Sequence, residues 1–305
     1  MTVVKLRKKR FGLRQEYSRL LSDCTSFRIG GPVFCWAEAE NLDDILGAIA
    51  IAERENKPIE IIGRGSNILA QDKGFDGVII TLGRGFDYVN IQEDGTVKAG
   101  AAVSIPVLVK KCLEKSLTGC EFLAGIPGSV GGAIFMNAGV RDIKDSNRFR
   151  EIKDVIVDVD VLDLKSKEGK TFRKLDAAFS YRSSGFKGKG ILGATFKLKK
   201  DKKDLIENRI GSFMKERQWM QGLGFPTAGS VFKNPDNENS AGQLIDSCGL
   251  KGRRIGGAES SRVHANFIVN VGNAEASHVL ELIDLAKNSV KGKFGIDLEL
   301  ELKMV

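Results

Sequence analysis

The chain has 305 residues, of which 42% are hydrophobic and 28% charged, with a net charge of +8. This is the balance of a soluble globular protein with room for two or three domains. No apolar run approaches the roughly 18 residues needed to span a bilayer, and the N-terminal MTVVKLRKKRFGLRQ has the charges of a signal peptide without its apolar core. A cytoplasmic protein with a solvated basic arm is expected. The five cysteines, Cys24, Cys35, Cys112, Cys120 and Cys248, form no C-x-x-C pair, and His264 and His278 are the only histidines. Neither a disulfide framework nor a metal centre is expected. The positive balance suits a ligand carrying phosphates. Three Tyr and two Trp, with no basic stripe between them, speak against nucleic acid.

From Val33 to Leu82 the pattern reads strand, helix, strand, strand. VFCWAEAE alternates, and LDDILGAIAIAERENK places Leu42, Ile45, Ile49 and Ala52 on one helical face. PIEIIG and GVIITL are short buried strands, with GRGSNILAQDKGF between them. Near Gly83 a β-rich region begins: YVNIQ and TVKAGAA flank the turn Glu93-Asp94-Gly95. The helix SIPVLVKKCLEKS follows, then a glycine-rich stretch, then the strands KDVIVDVDVLD, KTFRKL and GILGATFKLKK. A charged helix, DKKDLIENRIGSFMKERQWM, opens a third region. It continues through AGQLIDSCG, the strand ANFIVNVG and a helix with the stripe Val279, Ile283, Ala286 and Val290. IDLELELKMV alternates strictly, with Leu298, Leu300 and Leu302 on one side and Glu299 and Glu301 on the other. The expected domains are residues 1–82, to which 296–305 return, then 83–200, then 201–295.

Two loops carry the functional signal. GRGSN (Gly63 to Asn67) lies between strands, so it does not open a helix as a dinucleotide-binding G-x-G-x-x-G must. Its glycines permit positive φ, and successive backbone N–H groups in such a turn suit a diphosphate. LAGIPGSVGGAIFMNAG, residues 123–139, has five glycines and no Asp, Glu, Lys, Arg, His or Cys, too few reactive side chains for chemistry of its own. Gly125, Gly128, Ser129, Gly131 and Gly132 would let the chain wrap a large ligand, with Pro127 fixing a corner. Two such loops beside so few reactive side chains point to a phosphate-bearing cofactor, which composition alone leaves unnamed.

In chain order the sequence shows TSFRIGGP (Thr25 to Pro32), GRGSNIL (Gly63 to Leu69), GIPGSVGGA (Gly125 to Ala133) with MNAG (Met136 to Gly139), YRSSGF (Tyr181 to Phe186), AGSVFKNP (Ala228 to Pro235) and LELE near the C-terminus. From about Thr25 onward it closely resembles the UDP-N-acetylenolpyruvoylglucosamine reductase (UDP-N-acetylmuramate dehydrogenase) family of peptidoglycan synthesis. It looks like the shorter subtype, which lacks a tyrosine-bearing lid loop. The resemblance implies an α+β chain: an FAD-binding fold of the vanillyl-alcohol-oxidase type, built from two α/β subdomains, plus a C-terminal α+β substrate-binding domain. It implies non-covalent FAD, NADPH as hydride donor and a small UDP-sugar substrate, in a monomer without nucleic-acid or membrane partners. The flavin would be held by Gly63, Arg64, Gly65, Ser66, Asn67 and Ile68, and by Gly125, Ile126, Pro127, Gly128, Ser129, Gly131, Gly132 and Asn137.

The family reaction passes hydride from NADPH to flavin and then to the vinyl carbon of an enolpyruvyl ether, leaving an enolate to be protonated. Matched motif to motif, Ser230 would be the proton donor and Arg182 the partner of the substrate carboxylate. A guanidinium suits that role through its planar two-pronged geometry. Glu301 would polarise the protonation site. Alternation places Glu299 and Glu301 on one face, so only the motif register selects Glu301. Tyr181, Arg217, Lys233, Asn234 and Gln243 would contact substrate, with the cations facing its diphosphate. His264 is expected to be structural or close to the cofactor.

The sequence departs from the family pattern where Val140-Arg141-Asp142 follow MNAG, where Gln221-Gly222-Leu223 precede the serine loop, and at Thr227. The alternatives are another FAD oxidoreductase of this fold acting on a sugar or alcohol, or a non-catalytic nucleotide-binding protein.

Overall fold

The computed structural model describes residues 12–143, 145, 148–221, 224–236 and 239–305. Most of the basic arm, and the departures at Gly222 and Leu223, lie outside the described residues. None of the described helices is long and apolar enough to cross a membrane.

A four-stranded mixed sheet comes first, in the spatial order Arg14–Tyr17, Val33–Ala39, Phe75–Leu82, Ile59–Ile61. The last three strands are mutually parallel, joined by the crossover helix α1 (Leu42–Arg54). Asn41 caps α1 by accepting from the Asp44 amide, and Ile45, Ile49 and Ala52 are buried as their spacing predicts. Leu42 is 43% exposed, because the first residue of the helix precedes the turn that packs on the sheet.

A second, wholly antiparallel sheet runs Gly169–Arg173, Ile156–Asp163, Lys189–Lys197, Thr96–Gly100, Val89–Ile91. The helices α2 (Ile105–Glu114) and α3 (Val130–Phe135) pack on it around Phe122, Phe186 and Phe196, all fully buried. Burial of one such ring stabilises by about 1.5–3 kcal/mol relative to exposure. The glycine-rich stretch is therefore not all loop. Its second half is α3, capped by Ser129, whose hydroxyl accepts from the Gly132 amide.

After α4 (Lys203–Gln221), a third sheet runs Thr227–Ser230, Phe267–Asn270, Ala258–Ser260, Arg254–Ile255. Its helices are α5 (Ala241–Ser247) and α6 (Ala276–Phe294). The expected stripe Val279, Ile283, Ala286 and Val290 is buried, and α6 ends at Gly295, whose φ of 72° suits glycine. This core also takes in Phe27, Ile29 and Leu69 from the first region and Leu298 and Leu302 from the C-terminal segment. Two side chains bolt the regions together. Both carboxylate oxygens of Asp72 accept from the Ala276 and Ser277 amides at the start of α6, and the Asn270 amide donates to the Phe27 carbonyl.

The C-terminal segment differs from the single regular strand its alternation predicts. Leu300 forms one bridge to Phe232, and Lys303–Met304 pair in parallel with Ile68–Leu69. Two different partners at two places interrupt the ladder, so only Leu298 and Leu302 are fully buried while Ile296 and Leu300 are half-buried.

Candidate active site

The two glycine loops face one another. The Ser66 hydroxyl donates to the Pro127 carbonyl at 3.3 Å. A Cβ on Gly63 would stand 2.5 Å from Ser129 Oγ, and one on Gly128 would stand 2.9 Å from Ser66 Oγ. Gly65 has φ +65°, and its Cβ would meet the Cys24 carbonyl at 2.4 Å. Only glycine fits so tight and left-handed a turn. Among the described residues, the amides of Arg64, Gly65, Ser66 and Asn67 donate no backbone hydrogen bond. A run of unspent N–H groups in a bent loop, with no carboxylate of its own, suits a pyrophosphate. The cradle thus fits the phosphate bridge of an FAD.

Not every glycine of the second loop has that purpose. A Cβ on Gly131 would stand 2.9 Å from Ala101 Cβ, so this glycine seats α3 against the second sheet. The Gly132 amide is spent on the Ser129 cap, and Ile126 is buried in the core. Asn137 departs furthest from its expected place. It is fully buried, and its amide group donates to Glu151 Oε1 and the Ser180 carbonyl, both at 2.9 Å, while its oxygen accepts from the Lys153 amide. Its side-chain oxygen and nitrogen are both spent on protein partners.

Beside the cradle, the expected reactive residues converge from three distant segments. Arg182 Nε lies 2.9 Å from Glu301 Oε1, and both side chains are buried, at 15% and 16% exposure. Despite that distance, Nε and Nη1 are buried without a hydrogen-bond partner of good geometry. The contact is an ion pair by distance, and its donors remain to be used. The Arg182 guanidinium also lies 5.0 Å over the Tyr181 ring, and the edge of Phe149 meets the other side of Tyr181 at 5.8 Å.

Glu301 sits in a nest of cations. Burial pushes its carboxyl above the usual range, against the pull of Arg182, Lys233 and Arg217. Burial and the neighbouring Arg182 charge push the Arg217 guanidinium down to about 10. Arg217 lies on α4 against the second glycine loop, its Cδ 2.9 Å from where a Gly125 Cβ would be. Lys233 Nζ is 2.5 Å from Glu299 Oε1. Glu299 is 73% exposed, so the structure separates two glutamates that alternation could not.

Ser230 ends the strand Thr227–Ser230 and is half-buried. The next residue, Val231, accepts through its carbonyl from the Glu301 amide at 2.9 Å, which ties the serine to the glutamate's segment. The Asn67 side chain, from the first glycine loop, donates to the Glu301 carbonyl at 3.1 Å. Asn234 uses its side-chain oxygen on the Ala241 amide at the head of α5, and its own backbone amide faces the Tyr181 phenol. Gln243 sits one turn into α5, partnered with the capping Ser240. His264 accepts from the Asn266 amide and packs edge-on to Phe267, which is a structural placement.

Asn266 escapes the motif reading. It is buried, and its side chain both accepts from the Phe232 amide and donates to the Phe232 carbonyl. It thereby holds the Ser230–Lys233 segment like a missing strand. An asparagine inside the apolar run ANFIVNVG was the available signal.

Two families of known domains match the chain. Residues 35–171 match an FAD binding domain, and residues 221–305 match the UDP-N-acetylenolpyruvoylglucosamine reductase C-terminal domain. A reductase of that name from Lachnoclostridium phytofermentans is 39% identical over 292 residues, covering 93% of this chain and 91% of the relative. One from Anoxybacillus flavithermus is 38% identical over 297 residues, covering 96% and 95%. The crystal structure of UDP-N-acetylenolpyruvylglucosamine reductase from Thermus caldophilus superposes with a TM-score of 0.80 at 33% identity, over 96% of this chain and 98% of that one. The facing glycine loops, the buried Arg182–Glu301 pair and this end-to-end likeness together make the chain a member of the UDP-N-acetylenolpyruvoylglucosamine reductase family.

Proposed function

We propose that this protein uses NADPH to reduce the enolpyruvyl ether of UDP-N-acetylglucosamine to UDP-N-acetylmuramate, as a cytoplasmic monomer that supplies peptidoglycan precursors and engages no nucleic acid. FAD held by the two glycine loops would supply the hydride relay from NADPH to the substrate's vinyl carbon. The remaining steps fall to the chain's own residues.

The observation that carries the reading is the buried, unspent edge of Arg182 beside Glu301. Buried guanidinium donors without partners are costly, and a substrate carboxylate would satisfy them. The same donors oppose the negative charge that spreads into that carboxylate as hydride arrives. Stabilisation of such developing charge is commonly the largest catalytic contribution.

Ser230 would then give its hydroxyl proton to the carbon next to the carboxylate, recovering it from solvent. Glu301, anchored by Val231 and Asn67 through its backbone, would hold the Arg182 fork and the protonation site in register. Lys233 and Arg217, the other cations around Glu301, would face the substrate's diphosphate, with Tyr181, Asn234 and Gln243 around the sugar nucleotide. Gly63–Ile68 and Gly125–Ser129 would grip the flavin.

The test is anaerobic. NADPH should bleach the yellow protein, and the enolpyruvyl sugar nucleotide should restore its colour with one product formed per flavin. A flavin that stays reduced in the presence of that substrate would point to a different acceptor. Colourless protein, with no flavin released on denaturation, would point to a nucleotide-binding protein without redox activity.

A further inference from the structure

Arg182 adopts φ 55°, in the left-handed region, which side chains other than glycine enter only under strain. Such a conformation persists only where its surroundings over-determine it. It lies inside the turn Ser180–Ser183, closed by two reciprocal backbone hydrogen bonds between Ser180 and Ser183 at 3.0 and 3.2 Å. The turn is gripped from outside by one small region. The Asn137 amide donates to the Ser180 carbonyl at 2.9 Å, and the Ser184 hydroxyl donates to the Phe135 carbonyl at 2.8 Å. The edge of Phe149 supports Tyr181. Asn137 is itself held rigid, fully buried and at φ 43°, by Glu151 and the Lys153 amide.

We propose that Asn137 is a positioning residue for the enolate-stabilising step: it fixes the Ser180–Ser183 turn so that Arg182 presents its unspent donors to the substrate carboxylate. This rests on the role given to Arg182 under Proposed function. It moves Asn137 from the flavin cradle to the substrate side of the site. The hydrogen bond to the Ser180 carbonyl is the lever, since it reaches the turn two residues before Arg182. Loss of that bond frees the turn to relax toward ordinary φ values and swings the guanidinium away, without touching the glycine loops.

The test uses the FAD-loaded protein with Asn137→Ala, Asn137→Asp, Arg182→Ala and the Asn137→Ala/Arg182→Ala double variant. Flavin per chain and thermal midpoint are measured first, then the two half-reactions separately by anaerobic stopped flow. Asn137→Ala is expected to retain flavin and its NADPH-reduction rate within about twofold, and to slow reoxidation by substrate about tenfold or more. In the Arg182→Ala background it should add no further loss. Asn137→Asp places a carboxylate against Glu151, and its reoxidation rate relative to the unsubstituted protein at the same pH should recover as acid protonates it and restores a donor to the Ser180 carbonyl. If Asn137→Ala does not fold, the Asp variant and its pH profile carry the test. Loss of flavin or equal loss of both half-reactions would return Asn137 to the cradle and overturn the proposal. So would unchanged reoxidation, or full additive loss with Arg182→Ala. Normal reoxidation by Arg182→Ala alone would overturn the role of Arg182, and this proposal with it.

Discussion

Arg182 Nε stands 2.9 Å from Glu301 Oε1, yet Nε and Nη1 complete no well-aligned hydrogen bond. The two groups are close enough to pair, and the two unspent donors stay available to a carboxylate. Arg182→Lys keeps the charge but loses the planar fork. Reoxidation of reduced flavin by substrate should fall about 10²–10³-fold, the loss typical of one oxyanion donor. Flavin reduction by NADPH should stay near normal. Near-normal reoxidation in stopped flow would remove Arg182 from the enolate.

Glu301 should set an acid limb in the same step. Burial is the largest influence on its carboxyl and outweighs Arg182, Lys233 and Arg217, so its pKa lies above the usual carboxylate range. The carboxylate is therefore lost as pH falls through that raised value, and reoxidation should decline on the acid side earlier than for an ordinary glutamate. Glu301→Gln should lower the rate and flatten that limb. An unchanged pH profile in the variant would assign the limb to another group.

Ser230→Ala should retain flavin and the NADPH step but slow substrate reduction by at least about 10²-fold, the lower end of general-acid contributions. With substrate deuterated solvent should still label the product carbon if water substitutes slowly for the hydroxyl. Equal loss of both half-reactions would strip Ser230 of its role.

Gly65→Ala tests the cradle. The new methyl would meet the Cys24 carbonyl at 2.4 Å while the backbone stays at φ +65°. The left-handed conformation alone costs about 1–2 kcal/mol. The protein should emerge with less flavin per chain and a thermal midpoint that added FAD raises only weakly. Full flavin occupancy would show that the loop can shift without loss of grip.

Glu121 anchors α4, the helix that carries Arg217. Burial alone would raise its carboxyl, but hydrogen bonds from Thr118, Gly119 and Arg209, at 2.6, 2.6 and 2.8 Å, outweigh it and hold the carboxyl below the usual range. Its stabilising contribution is present above the unfolded-state pKa and is lost as pH falls through the depressed folded value. Glu121→Ala should destabilise by about 1–3 kcal/mol at neutral pH, the cost of the Thr118 and Gly119 donors it leaves unpartnered, since Arg209 keeps Asp201. The gap should narrow in acid, read from urea unfolding at both pH values. A loss that does not change with pH would trace the effect to packing.

Much of this arrangement was legible because its signals are local. The helix stripes of α1 and α6 and the hairpin around Glu93-Asp94-Gly95 announce themselves by spacing and turn chemistry. The hairpin strands Gly139–Arg141 and Phe149–Glu151 were not visible, since three residues carry no periodicity. α3 was hidden by its own glycines, which have low helix propensity, although its Ser129 cap stood in plain sight. Glu301 could be told from Glu299 only through neighbours contributed by other segments. Half-buried Asn67 and the buried Asn137 and Asn266 act through backbone groups remote in sequence, which spacing along one segment cannot reveal.

The parallel pairing of Lys303–Met304 with Ile68–Leu69 has a consequence for biogenesis. The first glycine loop leaves the ribosome early, but the strip that steadies it, and that carries Glu301, follows only after two further sheets have been made. The pairing beside the first glycine loop and the placement of Glu301 therefore arise in one closing event. A nascent chain halted before that strip lacks both this support for the first glycine loop and the segment that carries Glu301.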